Sequence, residues 1–305
     1  IFRNIWSSLT IPAGNQINYN SMIKYFDNWN PTKFQGGKIY IPLLHWFCHY
    51  TNQKDRSLVF PIAAFYNQTI EMFITFAAFN NCITSSDGSA PISTAEIVSS
   101  RLMVDYVTLE ESERLALQRP KELRSFMITQ TGYLNFSLPA GTTNTTLSLK
   151  QINYLVSEII IVAQRADAGS APINDYFNYS DRLSLTGRQS PIKKLSLKFD
   201  GKDKFTDISS QYFYSVIPLK CHSNVVDNNF IHTISFALQP EKQEQPSGVC
   251  NFSEIQEPLL LLELLPELPA MNIFIYYLNY NMNKKYSTDL LIRGFEENQQ
   301  IMYSS

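Results

Sequence analysis

An all-β antiparallel sandwich of the jelly-roll type is the fold class this sequence predicts, on three observations. After residue 98, short apolar-alternating runs recur between polar turns, about eight of them. Only one stretch carries a clear helix start. Aromatic residues make up 13% of the chain, 20 Phe and 17 Tyr among them, a bias that suits strands and aromatic-lined interfaces. Eight strands with little helix pack as two sheets face to face.

The elements follow in order. Residues 1–35 are rich in Asn and aromatics (Trp6, Tyr19, Tyr25, Phe26, Trp29), with weak periodicity and one short helix expected around Tyr19 to Phe26. Residues 38–50 read as a strand bent or started by Pro42. After a polar turn, Leu58 to Tyr66 is a second apolar run. In Thr69 to Phe79, Ile70, Met72, Ile74 and Phe76 share one parity, the pattern of a half-buried strand. Residues 80–98 are soft and polar and mark a domain boundary, dividing the chain into 1–98 and 99–305, with the first part incomplete.

Arg101 to Val107 reads as a strand. Thr108 and Glu111 have capping-box spacing, Glu110 and Arg114 stand four apart, and Pro120 limits the helix to about three turns. The strands then expected are Glu122–Gln130, Thr145–Lys150, Leu155–Ala163, Ile192–Phe199, Tyr212–Leu219, Phe230–Leu238, Leu259–Leu265 and Asn272–Tyr280. Asp200-Gly201 is a tight-turn signal.

Bulk properties exclude some functions. The formal charge of the 305 residues is -2, which draws the chain onto no nucleic acid. Cys48, Cys82, Cys221 and Cys250 form no C-x-x-C pair and read as free thiols. No apolar run is long enough for a membrane-spanning helix. The chain opens on Ile1 within an apolar pattern, so its natural start is expected upstream.

The most informative stretch is Phe236 to Ser253, FALQPEKQEQPSGVCNFS. An apolar strand stops at Pro240, a polar loop is closed by Pro246-Ser247-Gly248, and the chain restarts toward Leu259. It resembles a segment of the major capsid proteins of nucleocytoplasmic large DNA viruses. Three further stretches resemble that family in the expected order. They are Ile41 to Cys48 with Leu58 to Phe65, Leu102 to Arg114, and Ile275 to Asn281. His45 and Tyr277 depart from the family pattern, as does Val59-Phe60.

The resemblance implies a double jelly roll, two eight-stranded antiparallel sandwiches, the first incomplete in this chain. It implies a structural capsid protein whose homotrimers form pseudo-hexameric capsomers of an icosahedral double-stranded DNA virus shell. Neighbouring capsomers, minor capsid and penton proteins and an underlying viral membrane are the implied partners, with no direct contact to nucleic acid. The location is the virion, after assembly in the host cytoplasm. A strand partner missing from the first sandwich is expected to leave sheet edges and apolar surface exposed. A double-jelly-roll scaffold of immature particles and a carbohydrate-binding sandwich are the alternatives.

Candidate seam aromatics between subunits are Trp6, Trp29, Trp46 and Tyr214, weighed against ordinary core positions. The loop residues Gln243, Glu244, Gln245, Pro246, Ser247 and Gly248 are expected to form a structural turn or to touch a neighbouring subunit. No enzyme signature appears, and neither a catalytic group nor a cofactor is expected. His45, Cys48 and His49 with Cys221 and His222 lack metal-site spacing, so no metal is expected. Of five sequons, at Asn67, Asn135, Asn144, Asn178 and Asn251, the loop positions Asn144 and Asn178 are the better glycan candidates.

Overall fold

The computed structural model describes residues 1–23, 37–43, 59–65, 70–78, 97–118, 125–169, 174–184, 186–225, 229–242 and 246–284. Among these residues the sandwich is built from nine strands. These are β1 (Ser125–Leu138), β2 (Asn144–Ser148), β3 (Leu155–Arg165), β4 (Ile192–Phe199), β5 (Lys202–Ser209), β6 (His232–Ser235), β7 (Cys250–Asn251), β8 (Pro258–Leu264) and β9 (Met271–Lys284). One sheet runs β1-β9-β3-β6, with β7 also on β3, and the other runs β2-β8-β4-β5. Every pairing is antiparallel. Neighbours in each sheet are mostly far apart in sequence, which is the jelly-roll winding.

Alternation builds the core. Along β8 every second residue is buried, so Leu260, Leu262 and Leu264 face inward while Leu259, Leu261 and Glu263 are half-buried. They meet Leu195 and Leu197 of β4, and from the other sheet Ile159 and Ile161 of β3 and Ile273 and Ile275 of β9. β3 breaks the one-face rule, because nine consecutive residues, Val156 to Gln164, are buried. Its outer face is covered as well.

The cover is α1 (Phe2–Thr10). Phe2, Ile5, Trp6 and Leu9 stand at helical spacing, and they pack on Ile160, Val162, Tyr276 and Leu278 of the five-stranded sheet. Fully burying each such side chain contributes roughly 1.5–3 kcal/mol. The hydroxyls of Ser7, Ser8 and Thr10 each donate to a carbonyl three or four residues earlier, which satisfies them beneath the helix. α2 (Ala13–Ile23) follows and buries Tyr19, so two helices stand where one was expected, around Tyr19 to Phe26.

Several expectations are corrected. Tyr212–Leu219 is not a strand: a turn of π-helix, Tyr212–Val216, runs into another helix, Ile217–Cys221. Pro218 could not donate in a ladder but is tolerated in a first helical turn. The helical segment lies along the edge strand β6, where Thr233 Oγ1 donates to the Phe213 carbonyl at 3.3 Å. Residues 70–78 and 97–110 form no strand, since no strand pairs with them among the described residues. Of the expected strand Glu122–Gln130, residues 125–130 lie in β1, which runs on to Leu138, and residues 122–124 lie outside the described residues.

α3 (Glu111–Gln118) starts two residues later than the Thr108 cap implies. Arg114 N–H donates to the Glu110 carbonyl at 2.9 Å, and Glu113 Oε2 accepts from Glu110 N–H at 3.2 Å. Glu110 and Glu113 therefore form the backward half of a capping box. The Asp200-Gly201 turn is as expected, with φ of 51° and 75° at the two positions, the hairpin geometry that joins β4 to β5.

Candidate functional site

The Phe236–Ser253 stretch is held by a set of intrachain contacts, each made by a residue the motif supplies. Phe236 stacks edge-on against Phe252 at 5.8 Å, and Phe252 against Phe199 at 5.4 Å, which pins both ends of the segment to the sandwich core. Gln239 N–H donates to Ser247 Oγ at 2.8 Å, closing the loop across its base. Gly248 passes so close to the Phe236 carbonyl that a Cβ would overlap it. Asn251 Oδ1 accepts from Ser253 N–H, and Ser253 Oγ accepts from Tyr154 N–H at 2.8 Å. Ser247 and Gly248 thus contact the outgoing limb of the loop, and Pro246 precedes them on the returning limb. Gln243, Glu244 and Gln245, at the tip, lie outside the described residues.

Beside this loop is a buried ionic junction that sequence reasoning did not anticipate. The Val156 and Ile159 side chains both point into the sandwich core although they stand three apart. A register shift between Val156 and Glu158 makes that geometry possible, and it turns Glu158 to the outer face opposite Leu278. There Glu158 Oε1 lies 2.7 Å from His222 Nε2, and both side chains are fully buried. His222 Nδ1 lies 3.1 Å from Glu241 Oε1, and Ser223 N–H donates to the same carboxylate at 2.6 Å.

Burial works against a charged His222, but Glu158 and Glu241 outweigh it and lift the ring from 6.5 to about 9. The Trp6 ring stands edge-on to His222 at 6.1 Å, and Asn224 ties the segment to α1 through the Ser8 and Leu9 carbonyls. The junction joins β3, α1, the segment after Cys221 and the turn at Glu241. The only sequence signal was an ionisable residue, Glu158, amid an apolar strand.

The candidate seam aromatics separate on inspection. Trp6 is only 7% exposed and packs inside the chain between α1 and the sheet. Tyr214 is half-buried, its ring edge-on to Phe230 and His232 at 5.5 Å each. Both make contacts within this chain. Trp29 and Trp46 lie outside the described residues. Exposed apolar side chains gather elsewhere, on 70–78 and 97–109. Phe73 and Met103 are each 82% exposed, with Ile70, Ile74, Phe76, Val98 and Tyr106 also exposed.

The sequon at Asn178 is corrected as a glycan candidate. Its side chain is buried, and Nδ2 donates to Asp175 Oδ2 at 2.9 Å and the Arg182 carbonyl at 3.1 Å. Asn144 is exposed at the start of β2, and Asn135 is exposed on β1. Among the described residues no group of three or more His, Cys, Asp or Glu side chains is arranged to hold a metal ion, and His45, Cys48 and His49 lie outside them. Cys221 and Cys250 are free thiols, each pushed up by burial. No helix among the described residues is long and apolar enough to cross a membrane.

Comparison with known proteins places this architecture. The family model for the large eukaryotic DNA virus major capsid protein matches residues 113–302, and the model for the major capsid protein N-terminus matches residues 1–110. The major capsid protein of Pyramimonas orientalis virus is 26% identical over 307 aligned positions, covering 92% of this chain and 68% of that protein. The major capsid protein of Paramecium bursaria Chlorella virus 1 is 25% identical over 251, covering 74% of this chain and 54% of its own length. Among solved structures, the PBCV-1 capsid quasi-atomic model aligns with a TM-score of 0.64 at 20% identity, over 93% of this chain and 76% of that one. The crystal structure of PBCV-1 VP54, fitted into a reconstruction of the virophage Sputnik, aligns at 0.65 with 19% identity, over 94% and 78%. The likeness confirms the double-jelly-roll class, with residues 125–284 forming one sandwich.

Proposed function

The chain belongs to the large eukaryotic DNA virus major capsid protein family, whose role is structural, and we propose that three copies of it form a pseudo-hexameric capsomer of an icosahedral shell. The observation that carries the proposal is that the family match over residues 113–302 falls on a jelly roll with both sheets in place. Such a block does its work by shape. Two sheets that bury one face against each other give a stiff wall, and the surface presented to neighbours decides how blocks tile.

The exposed apolar chain at 70–78 and 97–109 is available for burial, by strand partners of the first sandwich or by a neighbouring subunit. The charge of -2 suits a shell that does not touch the genome. On this reading the partners are neighbouring capsomers, minor capsid and penton proteins and an underlying membrane. The chain catalyses no reaction and works in the virion after assembly in the host cytoplasm. On the same reading residues 1–98 contribute to one jelly roll and residues 99–305 form the other.

Quantitative mass spectrometry of purified mature particles tests the reading. A shell subunit is expected among the most abundant proteins. A protein present on immature particles and lost from mature ones is a scaffold, and that result would overturn the shell assignment.

A further inference from the structure

His222 has both ring nitrogens against carboxylates: Nε2 is 2.7 Å from Glu158 Oε1 and Nδ1 is 3.1 Å from Glu241 Oε1. An ionised carboxylate only accepts, and a neutral imidazole carries a single N–H, so only the imidazolium can donate to both. We propose that His222 is a protonation latch that holds the Gln239–Lys242 turn on the five-stranded sheet, and that loss of its proton releases the Glu241 arm.

The unequal arms decide which one opens. Glu158 is fully buried, and its second oxygen, Oε2, has no hydrogen-bond partner. Losing His222 would leave a buried carboxylate with nothing to accept from, which is strongly unfavourable. Glu241 is 14% exposed and also accepts from Ser223 N–H and Oγ–H, so at the edge of solvent it can part from the ring, water replacing the Ser223 donors as the turn lifts. When base removes the imidazolium proton, the remaining N–H therefore stays on Nε2. The bare Nδ1 lone pair then faces Glu241 Oε1, acceptor against acceptor. The turn that carries Glu241 is itself closed by Lys242 N–H on the Gln239 carbonyl at 3.1 Å, so it leaves as a unit.

The surroundings fit this assignment. β3 brings Glu158 and the turn brings Glu241, and these two supply the charge felt by the ring. α1 brings only the neutral Trp6 ring and the Ser8 and Leu9 carbonyls. On the ring's own segment, Cys221 is a thiol whose ionisation is opposed by burial and by Glu158, and Lys220 reaches over Tyr212 at 5.9 Å. β6 contributes the neutral Ser235 beside Cys221. The latch is closed at neutral pH and opens as pH passes about 9.

Two readouts on the protein labelled with 15N-histidine test the latch over roughly pH 6 to pH 10. Side-chain NMR follows the two His222 nitrogens, and hydrogen exchange, corrected for intrinsic base catalysis, follows the 239–242 turn. The expected result is two ring protons at neutral pH and loss of the one on Nδ1 near pH 9. Protection of the turn should fall about tenfold through the same transition. Glu241→Gln should keep the turn closed throughout, because an amide can accept from Nδ1–H or donate to bare Nδ1. A ring with one proton at neutral pH, or one that titrates while the turn stays protected, overturns the proposal. The unsubstituted protein decides this even if the variant does not fold.

Discussion

At the scale of single residues, two buried histidines pull stability in opposite directions with pH. His222 is lifted to about 9, so its contribution is complete below about pH 6.5 and is lost as pH rises through about 9. His232 is fully buried and pushed down to about 4, so the unfolded chain takes up its proton first, and stability is lost as pH falls from about 6.5 toward 4. Denaturant unfolding across this range should therefore show a maximum near neutral pH, with the alkaline limb worth on the order of 3 kcal/mol. His222→Gln should flatten that limb and leave the acid limb in place. Trp6→Ala should cost about 3–5 kcal/mol, since it empties the space between α1 and the sheet. Its signature is a lower denaturation midpoint together with loss of protection in α1. Gly248→Ala forces a methyl against the Phe236 carbonyl and should cost about 1–3 kcal/mol in the same assay, whereas substitution of the exposed Lys242 should cost little.

At the scale of elements, legibility followed how much each segment's pattern owes to its own residues. Ile192–Phe199 was legible to the residue, because apolar alternation and the Asp200-Gly201 turn both mark it. β5 was missed: KDKFTDIS is mostly polar, and what makes it a strand is an edge position on β4, a tertiary fact. Tyr212–Val216 was misread in the opposite sense. Its aromatic run has a strand's composition, but its place beside β6 and Pro218 two residues beyond favour a helix. The missed β5 offsets the misread Tyr212–Leu219, and the two-residue β7, also unread, makes nine strands where eight were expected after the helix. α1 carried a readable signal, Phe2, Ile5, Trp6 and Leu9 at i, i+3, i+4 and i+7, that the aromatic and Asn-rich composition obscured. The Glu158 junction could not be read, because its three members lie 64 and 19 residues apart and a bulge aims the first. The hairpin offers a direct test at this scale. Gly201→Val places a β-branched residue at φ 75° and should lower stability by about 1–2 kcal/mol, with increased exchange confined at first to β5.

At the scale of the whole molecule, the described residues make a sandwich closed on itself. Its five-stranded sheet is covered by α1, and apolar chain at 70–78 and 97–109 remains exposed. Burying that surface is favourable, whether against the strand partners expected for the first sandwich or against a neighbouring subunit. Of the four aromatics assigned from sequence to subunit seams, Trp6 and Tyr214 make contacts within the chain, and Trp29 and Trp46 lie outside the described residues. The exposed apolar side chains gather on the segments preceding the sandwich. Light scattering for mass, with electron microscopy for projected outline, tests the central claim most directly when applied to the full-length native protein. The account predicts a trimer with a hexagonal outline; a stable monomer at all concentrations would contradict it.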